Sequence, residues 1–321
     1  MITIKDILRA RRRIVSYIYQ TPLEKSYNLS SLIEGEVFLK LECQQLVKAY
    51  KIRGAYSKLL KLSPHERQKG VMAVSSGNHG ACISFAASIL GLNNVHIYVP
   101  EVTPEIKKEK IKRYGAHLTV KGKNYDESHQ LALMACKEYG YTWIDSCSDE
   151  DVIAGQGTIG LELMQELPDL DAIVVPIGGG GIITGISIAV KAINPAVEVI
   201  GVQTEACPAM LVSMKDNVFY ETYPTKPSIC EALVGGVGEI PFKLSKQCID
   251  EILIVSEDNI KRAVVELIKH DKVLAEPSAA VGVASLLEYP DRFRNMRVGV
   301  VITGGNIDFA LLQQLLGGYN K

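Results

Sequence analysis

A chain of 321 residues with 47% hydrophobic and 22% charged side chains, 35 basic against 36 acidic, is long enough for two domains with a sizeable core. Its formal net charge of −1 gives no general attraction to nucleic acid or to an anionic membrane, so a small neutral or zwitterionic substrate fits better. Seven cysteines, none in a Cys-x-x-Cys pair, suggest neither a disulfide framework nor a four-ligand zinc site, and reduced thiols in a cytoplasmic protein are the expectation.

Residues 1–15 set Lys5, Asp6, Arg9, Arg11, Arg12 and Arg13 among apolar positions. That leaves no apolar core for a secretory signal and predicts an amphipathic surface helix. A strand is predicted at 37–41. From 71 to 145, short β-branched runs at 71–74, 95–99, 117–120 and 141–145 alternate with helix-length segments of mixed polarity, the signature of parallel βα units. A second series has strands at 172–175, 198–202, 252–255 and 298–302, with helical stretches such as 259–269 between them and 309–316 after them. The predicted fold is α/β, with two open, twisted, mainly parallel sheets flanked by helices and a ligand cleft between domains. The smaller domain is expected at 70–146 and a discontinuous larger one at 1–69 plus 147–321. Residues 214–241 lack clear periodicity and are expected to form a surface excursion. The 19 uncharged residues 172–190 are not a membrane span, because Pro176 and four glycines divide them into strand, loop and helix.

Four segments carry chemistry. Gly178, Gly179, Gly180 and Gly181 follow a predicted strand and precede a helix, so unhindered N–H groups converge where a phosphate would sit. The G-x-G-x-x-G register fails, with Ile183 and Thr184 where a third glycine is needed, which weakens a dinucleotide reading. Ser75, Ser76, Gly77, Asn78, His79 and Gly80 make a second strand-to-helix turn that suits a carboxylate, or serves only as a capping turn. His79 fits either a proton carrier or a hydrogen-bonded structural residue. Lys51, between Tyr50 and Ile52 at a predicted helix start, is expected to be partly desolvated, with a lowered pKa that would make it a nucleophile. Thr303 ends the last predicted strand before Gly304, Gly305 and Asn306.

Taken in this order, with 152–158, Glu276-Pro277 and Gly304 to Asp308, these segments resemble the fold-type-II pyridoxal 5′-phosphate enzymes, most closely the threonine/serine dehydratase and serine racemase group. The resemblance covers nearly the whole chain. It implies the cofactor pyridoxal 5′-phosphate, held by Lys51 as an internal imine, with Tyr50 beside the ring. It also implies Asn78 on the phenolic oxygen, Gly178 to Gly181 on the phosphate, Glu276 at the cofactor site and Thr303 facing the pyridine nitrogen. Ser75, Ser76, Gly77, Asn78 and His79 would bind the substrate carboxylate. A neutral hydroxyl at the pyridine nitrogen favours β-elimination over long-lived carbanions. Lys51 would take the Cα proton while the cofactor phosphate helps protonate the leaving hydroxyl.

The chain departs from the group at three places. Val47-Lys48-Ala49-Tyr50 replaces Thr-Gly-Ser-Phe before the lysine. Ser76 stands where serine racemases carry their opposite-face acid/base, so racemisation is the main alternative activity. At the racemase cation site Glu205 and Ala209 match but Leu211 replaces Asp, so no metal is expected. His129 falls where a racemase segment carries Arg, which bears on the substrate anion and leaves room for a dehydratase of an unusual β-hydroxy amino acid such as hydroxyaspartate or a compatible-solute intermediate. With Lys321 soon after the last predicted helix, the regulatory domain of biosynthetic threonine dehydratases and its isoleucine feedback are not expected. The resemblance implies a homodimer or homotetramer and an amino-acid substrate, with neither nucleic acid nor membrane as a partner. A non-catalytic sensor that has kept the fold is the reading from another class.

Overall fold

The computed structural model describes residues 2–319; Met1, Asn320 and Lys321 lie outside them. The strands are β1 Leu23–Ser26, β2 Glu36–Lys40, β3 Val71–Val74, β4 Val95–Val99, β5 His117–Val120, β6 Thr142–Trp143, β7 Ala172–Pro176, β8 Glu198–Thr204, β9 Glu251–Val255 and β10 Arg297–Val301. The first seven helices are α1 Ile4–Ile14, α2 Tyr27–Leu32, α3 Lys51–Leu59, α4 Pro64–Lys69, α5 Asn78–Ile89, α6 Glu105–Lys112 and α7 Tyr125–Tyr139. The rest are α8 Glu150–Glu166, α9 Gly181–Ile193, α10 Ala209–Asp216, α11 Glu239–Cys248, α12 Glu257–Glu266, α13 Pro277–Glu288 and α14 Phe309–Tyr319.

Two sheets form, as the alternating pattern predicts. The larger has the order β1-β2-β10-β7-β8-β9, parallel except for β1, and the smaller is the all-parallel β5-β4-β3-β6. Edge strand β1 escapes the pattern because Glu24 and Lys25 interrupt it and only Ser26 is buried. The expected strand at 141–145 is only two residues long: the Asp145 carboxylate takes the N–H groups of Cys147 and Ser148 and turns the chain. Helix α5 starts at Asn78, directly after the Gly77 turn, and the helix expected at 259–269 is α12 followed by one wide turn at Leu267–Asp271. No helix among the described residues is long and apolar enough to cross a membrane.

The segment 214–241 is a surface excursion as far as Ile229, with no buried residue up to that point, and then returns to the interior. It begins in α10, ends in α11, and buries Cys230, Leu233 and Val237 in the cores on the two faces of the large sheet. Its lack of periodicity reflects irregular backbone that packs against the tetraglycine, with Gly238 N–H donating to the Gly179 carbonyl at 2.9 Å.

Helix α8 is buried from Val152 to Met164 and is the spine of the molecule. Glycines let α3 and α9 touch its backbone. A Cβ on Gly155 would lie 2.7 Å from Gly54 Cα and 2.6 Å from the Arg53 carbonyl, and a Cβ on Gly157 would lie 2.7 Å from the Gly185 carbonyl. On the far side of the α3–α8 crossing, Arg53 makes two-pronged contacts to Glu42 (2.7 and 2.8 Å) and Glu162 (2.6 and 2.9 Å), and Lys40 adds a 2.7 Å bond to Glu162. Two cations and two anions balance in a site closed to water, and Arg53 also reaches Thr158 Oγ1.

Gly185→Ala places a methyl 2.7 Å from Gly157 N and is expected to cost about 1–3 kcal/mol in chemical denaturation. Gly318→Ala, where a Cβ meets open space, should be neutral or slightly stabilising.

Candidate active site

The carboxyl ends of β2, β3, β7 and β10 open onto one cleft, and the chemistry-bearing segments follow those ends. After β2 the chain makes two short turns, with Val47 and Lys48 at positive φ, and enters α3 at Lys51. The turn is zipped to the segment after β10: Tyr50 N–H donates to the Thr303 carbonyl, Gly305 N–H donates to the Lys48 carbonyl, both at 3.0 Å, and Ala49 bridges Gly304. Thr303 itself is buried.

Lys51 is half-buried, its Nζ donating to the Ser146 carbonyl at 3.0 Å and lying 5.4 Å from the centre of the Tyr50 ring. The expected lowering of its pKa is not found. Burial disfavours the ammonium, but Tyr50, Cys147 and Asp145 outweigh it and raise the pKa. Burial pushes the Cys147 thiol up to about 12 and also raises Tyr50. Both are therefore neutral at physiological pH and oppose the burial effect by charge only in the alkaline range, which leaves Asp145 as the anion of the three that acts at neutral pH.

Ser75 and Ser76 are half-buried at the tip of β3, and Ser75 Oγ accepts the Gly77 N–H at 3.1 Å. Asn78 Nδ2 donates to Glu276 Oε1 at 2.8 Å, and its Oδ1 accepts from Asn306 Nδ2 at 2.7 Å. Asn306 N–H also donates to Glu276 Oε2, and Lys110 Nζ donates to Asn306 Oδ1 at 2.6 Å. Asn78 therefore keeps one amide N–H to offer elsewhere. Burial raises the pKa of Glu276, against the pull of Asn78, Asn306 and two lysines.

His79 does not face the cleft as a free proton carrier. It is 3% exposed, its Nε2 lies 3.1 Å from the Ile144 carbonyl, and burial followed by the Lys51 charge lowers its pKa to about 4.

At the start of α9 the N–H groups of Gly178 to Gly181 donate to no backbone acceptor among the described residues. Side chains are excluded at all four. A Cβ on Gly178 would sit 2.9 Å from the Ala232 carbonyl, one on Gly179 would strike Cys147 Sγ, and one on Gly181 would lie 2.8 Å from Cys147 Cα. Gly180 has φ +91°, and its Cβ would lie 2.7 Å from Met210 Cε. A cradle of open N–H groups at a helix N-terminus, with an amine and a buried amide beside it, fits a phosphorylated pyridine aldehyde.

The segment Asp145 to Cys147, whose Ser146 carbonyl meets Lys51 and whose Cys147 abuts the tetraglycine, went unread in the sequence, as did Lys110. Neither belongs to a glycine-rich or Ser-rich turn that would mark it. Glu205, read as a remnant of a cation site, is exposed, and its Oε1 accepts the Glu257 N–H at 3.1 Å. Ala209 opens α10, with Leu211 half-buried in its first turn. No group of three or more His, Cys, Asp and Glu side chains among the described residues is disposed to hold a metal. His129 lies on α7, its ring 5.9 Å from Tyr125 and 5.3 Å from Trp143.

A two-sheet α/β fold that brings a lysine, a Ser-Gly-Asn turn and a cradle of open glycine N–H groups onto one cleft fits a cofactor-dependent enzyme. The model of the pyridoxal-phosphate dependent enzyme family matches residues 14–304, and the chain belongs to that family. It is 40% identical to the L-threonine ammonia-lyase of Thermotoga maritima over 98% of this chain and 78% of that protein. It is 36% identical to L-threonine dehydratase catabolic TdcB of Escherichia coli K12 over 98% and 96% of the two chains. Maize serine racemase superposes with a TM-score of 0.91 at 30% identity, covering 99% of this chain and 98% of that one.

His79 titrates near 6.5 when unfolded and near 4 when folded, so the unfolded chain binds the extra proton between those values. Its neutral form contributes stability that is complete above about pH 6.5 and is lost as pH falls through 4, a swing on the order of 3 kcal/mol. Denaturation measured from pH 7 to 4 should show that slope, and His79→Gln should flatten it.

Proposed function

We propose that this chain is a pyridoxal-phosphate ammonia-lyase that converts an L-β-hydroxy-α-amino acid, first threonine or serine, to a 2-oxo acid and ammonia. One observation carries the reading. Lys51 Nζ is held at the Ser146 carbonyl, in a segment that contacts both His79 of the Ser75–His79 turn and the tetraglycine. The names of the 40% and 36% identical relatives support the same activity.

In this proposal the N–H groups of Gly178, Gly179, Gly180 and Gly181 hold the phosphate. Tyr50 would lie beside the ring, Asn78 would offer its remaining N–H to the phenolic oxygen, Glu276, which accepts from Asn78 Nδ2, would orient that amide, and Thr303 would meet the pyridine nitrogen. The cofactor, when bound, supplies an electrophilic aldehyde and a ring that draws electron density from the substrate Cα. Lys51 would secure it at rest and, once free, would take the Cα proton at Nζ. Ser75, Ser76, Gly77, Asn78 and His79 hold the substrate carboxylate, and so fix Cα within reach of Lys51. A neutral hydroxyl at Thr303 would not hold the pyridine nitrogen protonated as a carboxylate could, which would favour Cα proton removal coupled to departure of the β-hydroxyl.

A racemase is the second reading, favoured by one observation: the Ser76 hydroxyl is half-buried and bonds to none of the described residues, so it is free to serve as a second acid/base. A dehydratase of an unusual β-hydroxy amino acid keeps the same machinery with a different side-chain pocket. The seven free cysteines support a cytoplasmic location, and a homodimer or homotetramer remains the expected assembly. A division into 70–146 and 1–69 plus 147–321 is supported by the strand membership of the two sheets, although α3 buries Ile52, Ala55, Tyr56 and Leu59 in the core of the small sheet.

The test is absorbance of the purified protein, followed by L-threonine and L-serine with detection of 2-oxo acid. Lys51→Ala should lose both the visible cofactor band and turnover, and a variant keeping either would refute the assignment. Formation of D-serine without oxo acid would select the racemase, while a band with no product from either amino acid would select an unusual substrate.

A further inference from the structure

The turn between β6 and α8 touches three parts of the site. The Ile144 carbonyl meets His79 Nε2 at 3.1 Å, the Ser146 carbonyl receives Lys51 Nζ at 3.0 Å, Cys147 packs on Gly179 and Gly181, and Ser148 Oγ accepts the Ile240 N–H at 3.1 Å. Its shape depends on one side chain. Asp145 Oδ1 accepts the N–H of Cys147 at 2.8 Å and that of Ser148 at 2.6 Å, and the intervening carbonyl is the one aimed at Lys51.

We propose that Asp145 is a positioning residue for Lys51: its carboxylate folds the turn that presents the Ser146 carbonyl to Nζ, and its negative charge favours the protonated nitrogen there. The inference rests on Lys51 being the cofactor lysine.

The charge half of the argument follows from what surrounds Nζ. From its own element Tyr50 faces it, from the turn Asp145 and Cys147, and from α5 His79 and Cys82. Tyr50 is held neutral by burial, which also pushes Cys147 and Cys82 up to about 12, and His79 is neutral because its pKa falls to about 4. Tyr125, on α7 behind Asp145, is likewise raised and uncharged. Glu276 has its two oxygens engaged by Asn78 Nδ2 and the Asn306 N–H, and its charge is common to the parent and any Asp145 variant. Asp145 has two backbone N–H groups and His79 to keep its pKa low against burial, so it stays ionised. Removing that charge must lower the proton affinity of Nζ, whether as a free amine or joined to the cofactor.

Asp145→Asn tests this, because an Asn carbonyl accepts the same two N–H groups and keeps the turn while deleting the charge. The reading is the pH titration of the visible cofactor band in the holoenzyme. The midpoint should fall by at least about half a pH unit, an approximately threefold weaker hold on the proton. Asp145→Glu, which keeps the charge, should stay near the parental midpoint. Asp145→Ser is a second uncharged variant, should the Asn protein not fold. Superimposable titrations of parent and uncharged variant, including two bands that both persist to high pH, overturn the proposal. Lys51→Ala is run alongside: if it keeps the band, the cofactor-lysine reading fails, whereas a lost band with unmoved titrations sinks only the role of Asp145.

Discussion

The backbone contact of α3 and α9 with the two sides of α8 fixes the distance on which everything else depends. Lys51 is the first residue of α3, and Gly181 the first of α9. Gly54 against Gly155 and Gly157 against Gly185 bring both helices to a separation that no side chain at those positions would permit. Interiors this dense transmit displacement rather than absorb it. A shift of either crossing would move the amine relative to the phosphate cradle, and catalysis is sensitive to displacements of about an ångström.

Charge is handled in two different ways a few residues apart. Behind α3, Arg53, Lys40, Glu42 and Glu162 pair with one another in a buried cluster, with Glu166 at its solvent edge 3.8 Å from Lys40. Such a set adds little net stability over an apolar core, but removing one member costs several kcal/mol, so it locks geometry more than it strengthens the fold. At the cleft, Lys51 has no such full partner. It meets a carbonyl, an aromatic face and the nearby Asp145, a softer arrangement that leaves the nitrogen free to change protonation and bonding state.

The parts of the site legible in the sequence are those where glycine or hydroxyl residues cluster at a strand-to-helix junction, as in 75–80, 178–181 and 303–306. Those junctions need special backbone and so leave a local mark. Lys51 itself was weak as a residue and became strong only through the motif around it. Strand order and sheet number followed from periodicity, while β1 did not, because an edge strand with Glu24 and Lys25 outward carries little apolar pattern. Asp145 was illegible for a different reason: its role comes from a tertiary meeting with Lys51, 94 positions away in sequence, and nothing local to either residue encodes it. The direction of the Lys51 pKa was misjudged on the same ground, since burial can be read from neighbours in sequence but the charges that oppose it cannot.

Polar ties join the small-sheet side to the large-sheet side directly at the site. Asn78 of α5 bonds Glu276 before α13, Lys110 of α6 bonds Asn306 after β10, and Lys107 pairs with Glu231 beside the tetraglycine. The residue read as the contact for the cofactor's phenolic oxygen is thus also one that links the two sheets. Anything that alters the hydrogen bonding of Asn78 acts on a cross-sheet tie as well as on the ligand, so binding free energy at that amide and the relative placement of the sheets are thermodynamically coupled. Glu276 makes the coupling directional. Buried and held by Asn78 and the Asn306 N–H, it can accept a changed position of either partner only by losing a charge-assisted hydrogen bond, the costliest kind to leave unmade.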